Sequence, residues 1–180
     1  MIVDEWGCWF TVEPGTNPGF LYQQNTVRDA LVAGITLNIF NKHCDRVKMA
    51  NLAQMVNVLQ SVILTEGPKM IKTPTYHVFH MYRHHQGATL LSSTLTGVGE
   101  TGIGEWKVPE VTESVSEDAE HIITVTLNNL SADEEKGIEI VIAGDEHVYS
   151  VKEAKVVSAE MHAHNTFDAP ELVKEEVFTA

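Results

Sequence analysis

Short apolar runs divide the first half of the chain, and two of them have the character of buried strands. The opening run reads IVDEWGCWF and breaks at Gly7, while a nine-residue run over 56–64 reads VNVLQSVIL. Nearly continuous apolar strands are typical of parallel sheets that are covered on both faces. Both runs are therefore predicted to be strands of a parallel sheet.

Helical spacing of apolar residues appears between and after these runs. Thr26 precedes such a stretch, which predicts a helix from this N-cap to about His43. Thr73 as N-cap and Pro74 at the first helical position predict another helix through YHVFHMYRHHQ. Asp45 predicts a shorter helix through RVKMANLAQ. Two parallel strands leave their sheet edges open, so this α/β half is expected to belong to a larger sheet.

The pattern changes near Gly87, after which short runs alternate apolar and polar residues with a period of two. These runs are ATLLSSTL, WKVPEV, HIITVTLNN, GIEIVIAG and HVYSVKEAKVV. Such alternation predicts an antiparallel sandwich, with TGVGETGIGEW and NLSADEEKG as its loops. The predicted fold is therefore α/β over residues 1–87 and all-β over residues 88–180.

Composition narrows the possible partners. The chain has 12 basic and 25 acidic residues, a formal charge of −13 and a pI near 5.0. This field repels phosphate backbones and anionic lipids, so we expect no nucleic-acid or membrane partner. Cys8 and Cys44 form no metal-binding pattern and predict free thiols in a reducing compartment. MIVDEWG resembles no signal peptide, so a cytoplasmic location is expected, with any export signal lying before Met1.

The densest cluster of candidate chemistry is DEWGCW, at the C-terminal end of the first predicted strand. Strict alternation would send Asp4 and Glu5 to opposite faces, so one of them is expected to act alone. A carboxylate beside aromatic rings suits sugar chemistry, with the carboxylate as nucleophile. An acid at a loop beside ordinary core tryptophans remains an alternative.

The histidines form a second candidate group. His77, His80 and His84 have a spacing that can place imidazoles around one metal ion. No carboxylate or cysteine in that helix completes a ligand set, which favours a solvent-exposed polar face instead. His162 and His164 are interpreted as polar groups of a loop or sheet.

The residues from 2 to 87 closely resemble a known family. VDEWG is followed by EPGTNPGFLYQQNTVRDALVAGITLNIFNKHCDRVKMANLAQMVNVLQSVILTEGPKMIKTPTYHVFHMY. This text resembles the C-terminal part of the catalytic barrel in the α-L-arabinofuranosidases of glycoside hydrolase family 51. From residue 88 onward, including SAEMHAHNTFDAPE, the chain resembles the family's C-terminal β-sandwich. The resemblance implies the last two βα units of a (β/α)8 barrel, with IVDEWG and VNVLQSVIL as its final strands, followed by a jelly roll.

The resemblance also implies an activity and residue roles. Family members release terminal α-L-arabinofuranosyl groups from arabinan and arabinoxylan with retention of configuration, without a metal or other cofactor, and many are homo-oligomers. The glutamate of the family's DEW motif is the nucleophile, which corresponds to Glu5. A following tryptophan lines the sugar site, which corresponds to Trp9, while Trp6 is expected to support the strand end.

One part of the family's machinery is absent from the sequence. The acid/base residue of the family lies in an Asn-Glu pair, and this sequence contains no such dipeptide. We therefore expect a fragment that lacks the acid/base half and its last sandwich strand, and that is inactive alone. The alternative function is a non-catalytic carbohydrate-binding or structural sandwich, for which the available aromatic residues are Trp106, Tyr149, Phe167 and Phe178.

Overall fold

The first half of the chain combines two helices with two small sheets. A computed structural model describes residues 1–144 and 147–179. The elements of this half are β1 (Ile2–Trp6), α1 (Val27–Lys42), β2 (Met49–Leu52), β3 (Ile63–Glu66), β4 (Lys69–Lys72) and α2 (Pro74–Tyr82). Strands β1 and β2 pair in parallel, and β3 and β4 form an antiparallel hairpin. Within the described residues, no helix has the length and apolar character needed to cross a membrane.

Both long helices begin at the predicted caps. The Asp29 carboxylate accepts hydrogen bonds from the Thr26 amide at 2.9 Å and from its hydroxyl at 3.1 Å, which satisfies the start of α1. The Thr73 hydroxyl oxygen accepts from an amide of the first turn of α2, and Pro74 occupies its first position. These two helix predictions are confirmed, since each helix begins directly after its predicted capping residue. The first two amides of α1 also donate to the carbonyls of Ala163 and Met161.

The prediction of a buried strand over residues 56–64 is wrong. The parallel partner of β1 is Met49–Leu52, inside the stretch that the sequence predicts as a short helix. Asn57 and Leu59 have positive φ angles of 62° and 30°, which an extended strand does not allow. Gln60 is fully buried and uses its side chain as a hydrogen-bonding group. The run is apolar because it is a buried loop, and only its last two residues enter β3.

The helices pack together around an apolar core beneath β1. Its buried members are Ala30, Ala33, Val78 and Tyr82. The Trp6 ring lies against this core, with its centroid 5.5 Å from that of Phe40 and 6.0 Å from that of Phe79. Aromatic pairs at these separations stabilise packing beyond simple burial. Trp6 therefore supports the end of β1, as the resemblance implies.

The second half is antiparallel. Its strands are β5 (Thr89–Leu90), β6 (Glu100–Ile103), β7 (Trp106–Pro109), β8 (Val111–Glu117), β9 (Ile123–Asn129), β10 (Lys155–Val156) and β11 (Glu176–Val177). Strands β5, β8 and β9 form one sheet, while β6 with β7 and β10 with β11 form two separate pairs. The sequence predicts strands over GIEIVIAG and over HVYSVKEAKVV. The described residues of 130–144 and 147–154, which include GIEIVIAG and the first part of HVYSVKEAKVV, contain no strand.

A hairpin occupies the glycine-rich segment that the sequence predicts as a loop. Strands β6 and β7 are joined through Gly104, which has a positive φ of 59°. A side chain on Gly102, whose φ is 130°, would collide with the Trp106 carbonyl oxygen. The glycines therefore allow tight strand pairing here, and the prediction of a loop over this segment is wrong from Glu100 onward.

The sheet of β8 and β9 docks on α1 through its polar face. The Asn38 side-chain oxygen accepts hydrogen bonds from Ser114 at 2.8 Å and from Thr126 and Tyr82 at 2.9 Å each. All four side chains are buried. Hydroxyl and amide groups buried at this depth are stable only when they are paired, and here they pair across the interface.

His85 extends this polar contact at the end of the second helix. Its ring nitrogens lie 2.7 Å from the Ser116 hydroxyl and 3.1 Å from the Thr126 hydroxyl. Burial, with a smaller effect of His84, lowers the pKa of His85 to about 4 from an ordinary value of 6.5. Since the unfolded chain takes up this proton first, folding stability is present above pH 6.5 and is lost as the pH falls towards 4.

We expect the free energy of unfolding to fall on going from pH 7 to pH 5, by at most about 1.4 kcal/mol per pH unit for this one proton. Urea denaturation at both pH values measures the change. His85→Gln is expected to make the dependence shallower. His121→Gln provides the control, since the His121 side chain is 87% exposed. An unchanged pH dependence in His85→Gln would contradict the assignment.

Candidate active site

Glu5 lies on β1 at an irregularity of the strand. Val3 pairs with Ala50 and Trp6 pairs with Leu52, so three steps along β1 match two steps along β2. Asp4 and Glu5 therefore share a bulge, and both side chains are exposed. Bulges redirect side chains and are frequent beside active sites. The strict alternation predicted for Asp4 and Glu5 is interrupted at these two positions.

The chain turns sharply after Trp6. The Trp6 carbonyl accepts a hydrogen bond from Ala53 at 2.7 Å, which extends the pairing with the second strand. Gly7 follows with a φ of 139°, a conformation that L side chains rarely adopt. A β-carbon on Gly7 would lie 3.0 Å from the β-carbon of Gln60. Glycine is needed here both for the backbone angle and for the close passage over Gln60.

Two buried glutamines hold the backbone on both sides of Trp9. The Cys8 amide donates to Gln60 Oε1 at 2.8 Å, and the Phe10 amide donates to Gln23 Oε1 at the same distance. Gln23 Nε2 donates in turn to the Cys8 carbonyl at 3.3 Å. Trp9 itself is 69% exposed. The Trp9 indole is therefore exposed to solvent, while hydrogen bonds fix the backbone of Cys8 and Phe10 on either side of it.

The same glutamines connect this loop to the starts of both helices. Gln60 Nε2 donates to the Thr75 hydroxyl at 2.9 Å and to the Asp29 carbonyl at 3.3 Å. Gln23 Nε2 lies 3.5 Å from an Asp29 carboxylate oxygen. Burial raises the pKa of Asp29, although hydrogen bonds from Thr26 oppose this effect. The loop that carries Trp9 is thus tied to the capping group of α1.

The sequence predicts Glu5 and Trp9 as site residues, whereas Gln23 and Gln60 are not predicted from it. The available signal was a polar residue inside an apolar run, since Gln60 interrupts VNVLQSVIL. Cys8, which lies between these groups, is buried, and burial raises the pKa of its thiol to about 11. A neutral thiol is a poor nucleophile, so Cys8 is a weaker candidate than the carboxylates of the cluster.

The histidines of the second helix hold the C-terminal segment instead of forming an exposed face. Nδ1 of His77 lies 3.2 Å, and Nδ1 of His80 lies 2.7 Å, from the same oxygen of Glu175. His77 is buried, so the prediction of a solvent-exposed histidine face is wrong for that residue. His84 follows in a short 3-10 helix, and His162 and His164 lie in a loop, as predicted. Across 1–144 and 147–179, no group of three or more His, Cys, Asp or Glu side chains could hold a metal ion.

The aromatic residues of the alternative function lie apart from this cluster in the chain. Trp106 is on β7 and is 86% exposed, Phe178 is 53% exposed and Tyr149 is 45% exposed. Phe167 lines a cavity together with residues of the first half. Carbohydrate recognition by these residues stays a prediction.

Comparisons with known proteins place the chain in a family. The sequence profile described as the α-L-arabinofuranosidase C-terminal domain matches residues 4–180. A relative from Bacteroides ovatus, an intracellular exo-α-L-arabinofuranosidase, is 43% identical over 97% of this chain and 34% of its own length. Another from Streptomyces lividans, an intracellular exo-α-(1→5)-L-arabinofuranosidase, is 29% identical over 94% of this chain and 27% of its own length.

Solved structures agree with this placement. The family 51 arabinofuranosidase from Xanthomonas axonopodis pv. citri has a TM-score of 0.86 and 40% identity, over 99% of this chain and 36% of that one. The family 51 α-L-arabinofuranosidase from Bifidobacterium longum has a TM-score of 0.79 and 25% identity, over 99% of this chain and 37% of that one. The chain thus spans about a third of the length of the first relatives it matches. It belongs to the α-L-arabinofuranosidase C-terminal domain family, among the arabinofuranosidases of glycoside hydrolase family 51.

Proposed function

We propose that this chain supplies the nucleophile of a retaining glycoside hydrolase that releases terminal α-L-arabinofuranosyl units. The observation that carries this proposal is the exposed Glu5 at a bulge of β1, four residues before an indole held by buried hydrogen bonds. The names of the relatives supply the substrate class. Arabinan and arabinoxylan oligosaccharides are accordingly the proposed substrates.

The proposed chemistry assigns one task to each of these two side chains. The Glu5 carboxylate attacks the anomeric carbon, an ester bond forms there, and the glycosidic bond breaks as its oxygen takes a proton. Water then attacks the same carbon, which releases arabinose and restores the carboxylate. Trp9 offers an apolar ring for the C–H face of the sugar and fixes its position relative to Glu5.

Retention also requires a carboxylic acid about 5 to 5.5 Å from the nucleophile, which protonates the leaving oxygen and later activates the water. The family's Asn-Glu pair would supply this group, and the sequence of this chain contains no such pair. Proton assistance of this kind contributes about 10²- to 10⁴-fold to the rate. We therefore propose that the 180-residue chain alone does not hydrolyse arabinan.

A chimera tests this proposal. The C-terminal third of the Bacteroides ovatus relative would be replaced by this chain, which is 43% identical to it over 97% of this chain. We expect the chimera to release arabinose from (1→5)-linked L-arabinotriose, and the isolated chain to release none. The unaltered relative is the positive control. A chimera that is folded by circular dichroism but inactive would contradict the proposal, as would hydrolysis by the isolated chain.

A further inference from the structure

We propose that a cavity beside the loop of Trp9 is a second sugar-binding subsite for a neutral pentose unit. The inference rests on the proposed function for the identity of the sugar. The cavity has a volume of about 250 Å³ and is lined by Tyr22, Asn57, Leu64, Thr65, Glu66 and Phe167. Pockets for drug-sized ligands begin at about 300 Å³, so this volume suits a smaller ligand such as one sugar unit.

The chain topology places this cavity at the same edge as the end of β1. Tyr22 belongs to the loop that follows β1, and Asn57 belongs to the loop that follows β2. Because the two strands are parallel, their C-terminal ends lie at one edge, where the loops of such folds build binding sites. The Leu59 amide donates to the Leu21 carbonyl at 3.4 Å, which joins the two loops directly.

The cavity is also connected to the backbone around Trp9. Tyr22 directly precedes Gln23, the residue that binds Cys8 and Phe10. A sugar held at Tyr22 would therefore contact the segment that fixes the indole. This continuity favours a role beside the reacting sugar over an unrelated binding function.

The polar groups of the cavity are arranged in advance of any ligand. Asn57 Oδ1 accepts from the Thr65 amide at 2.7 Å, and Asn57 Nδ2 donates to the Thr65 hydroxyl oxygen at 2.8 Å. Since that oxygen accepts from Asn57, the hydroxyl proton of Thr65 is left to donate to a ligand. The carboxylate of the exposed Glu66 can accept from a sugar hydroxyl.

The aromatic walls complete the match to a sugar. Burial, together with the Glu13 charge, raises the pKa of Tyr22, so its phenol is a neutral hydrogen-bond donor. Phe167 faces the cavity from the C-terminal segment, where Asn165 donates to the Lys72 carbonyl at 2.8 Å. The six lining residues include one carboxylate and no basic side chain, which favours a neutral polyol over an anion.

The test uses the full 180-residue chain and (1→5)-linked L-arabinotriose. Titration followed by ¹H–¹⁵N NMR is expected to shift the amide signals of residues 57 and 64–66, with a dissociation constant in the millimolar range. Thr65→Val is expected to weaken binding about tenfold, which is equivalent to ~1.4 kcal/mol. Thr89→Val, an exposed threonine on β5, is the matched control and is expected to bind as the parent does.

Glu66→Gln supplies a second variant on an exposed side chain, and it too is expected to bind more weakly. The titration measures binding by the isolated chain, whereas hydrolysis is measured in the chimera, so failure of the catalytic proposal and failure of this one can be told apart. Unperturbed amides at 57 and 64–66, or parental affinity in both Thr65→Val and Glu66→Gln, would overturn the subsite. Equal binding of maltotriose would overturn its selectivity for pentose units.

Discussion

Glu5→Gln in the chimera with the Bacteroides ovatus relative is expected to lower kcat/KM for 4-nitrophenyl α-L-arabinofuranoside by about 10⁴-fold or more. Glutamine keeps the size of the side chain but cannot form the glycosyl ester, and loss of a covalent nucleophile has effects of this order. Because the nitrophenolate departs without proton assistance, this substrate reports on the nucleophile alone. Release of nitrophenolate, followed by absorbance, measures the effect.

Asp4→Asn is the matched control for this variant. Asp4 shares the bulge with Glu5 and is also exposed. Asp4→Asn therefore tests whether loss of any carboxylate charge at the bulge lowers the rate, or only loss of the nucleophile. We expect its kcat/KM to stay within about tenfold of the parent, which is ~1.4 kcal/mol.

Azide provides a further discrimination. A Glu5→Ala chimera in added azide is expected to form the arabinofuranosyl azide of inverted configuration, because the small anion attacks where the carboxylate stood. A larger loss of kcat/KM in Asp4→Asn than in Glu5→Gln would contradict the assignment of Glu5 as the nucleophile.

Gly34→Ala is expected to destabilise the protein by about 1 to 3 kcal/mol, although alanine ordinarily favours a helix interior by about 1 kcal/mol. Gly34 is buried on α1, and a β-carbon there would overlap the Asn128 side-chain oxygen and lie 2.8 Å from Asn128 Cγ. Asn128 cannot move freely, since its Nδ2 donates to the Tyr82 hydroxyl at 2.9 Å. Urea denaturation followed by circular dichroism measures the change.

A double variant identifies the cause of this destabilisation. Asn128→Ala removes the obstructing side chain, so Gly34→Ala made in that background should be neutral or stabilising. The two substitutions are then coupled, as expected for groups in contact. Equal destabilisation by Gly34→Ala in both backgrounds would show that the cost arises elsewhere.

Features encoded by local chemistry could be predicted from the sequence. Thr26 and Thr73 mark the starts of α1 and α2 because a cap depends on a few adjacent residues. Strand β2 could not be found in this way. MANL is only four residues long, whereas VNVLQSVIL is a loop whose Leu59 and Gln60 are buried, with Gln60 packed against Gly7 and Cys8.

The candidate site likewise combines residues that lie close together in the sequence with residues that only the fold brings to it. Glu5 and Trp9 can be proposed from the sequence because they lie in one short segment that resembles a family motif. Gln23 and Gln60 are 37 residues apart in the sequence and reach the same backbone segment only through folding, so no local pattern indicates that both bind the backbone around Trp9. The pairing of His77 and His80 with Glu175 was missed for the same reason, since about a hundred residues separate them.

The contact between α1 and the β8–β9 sheet carries a thermodynamic consequence. Asn38, Ser114 and Thr126 would regain hydrogen bonds to water if the two surfaces parted, so little hydrocarbon would become hydrated there. Hydration of hydrocarbon is what gives unfolding its large heat-capacity increment. The enthalpy of separation at this boundary should therefore vary only weakly with temperature, unlike the enthalpy of melting the apolar cluster between the two helices.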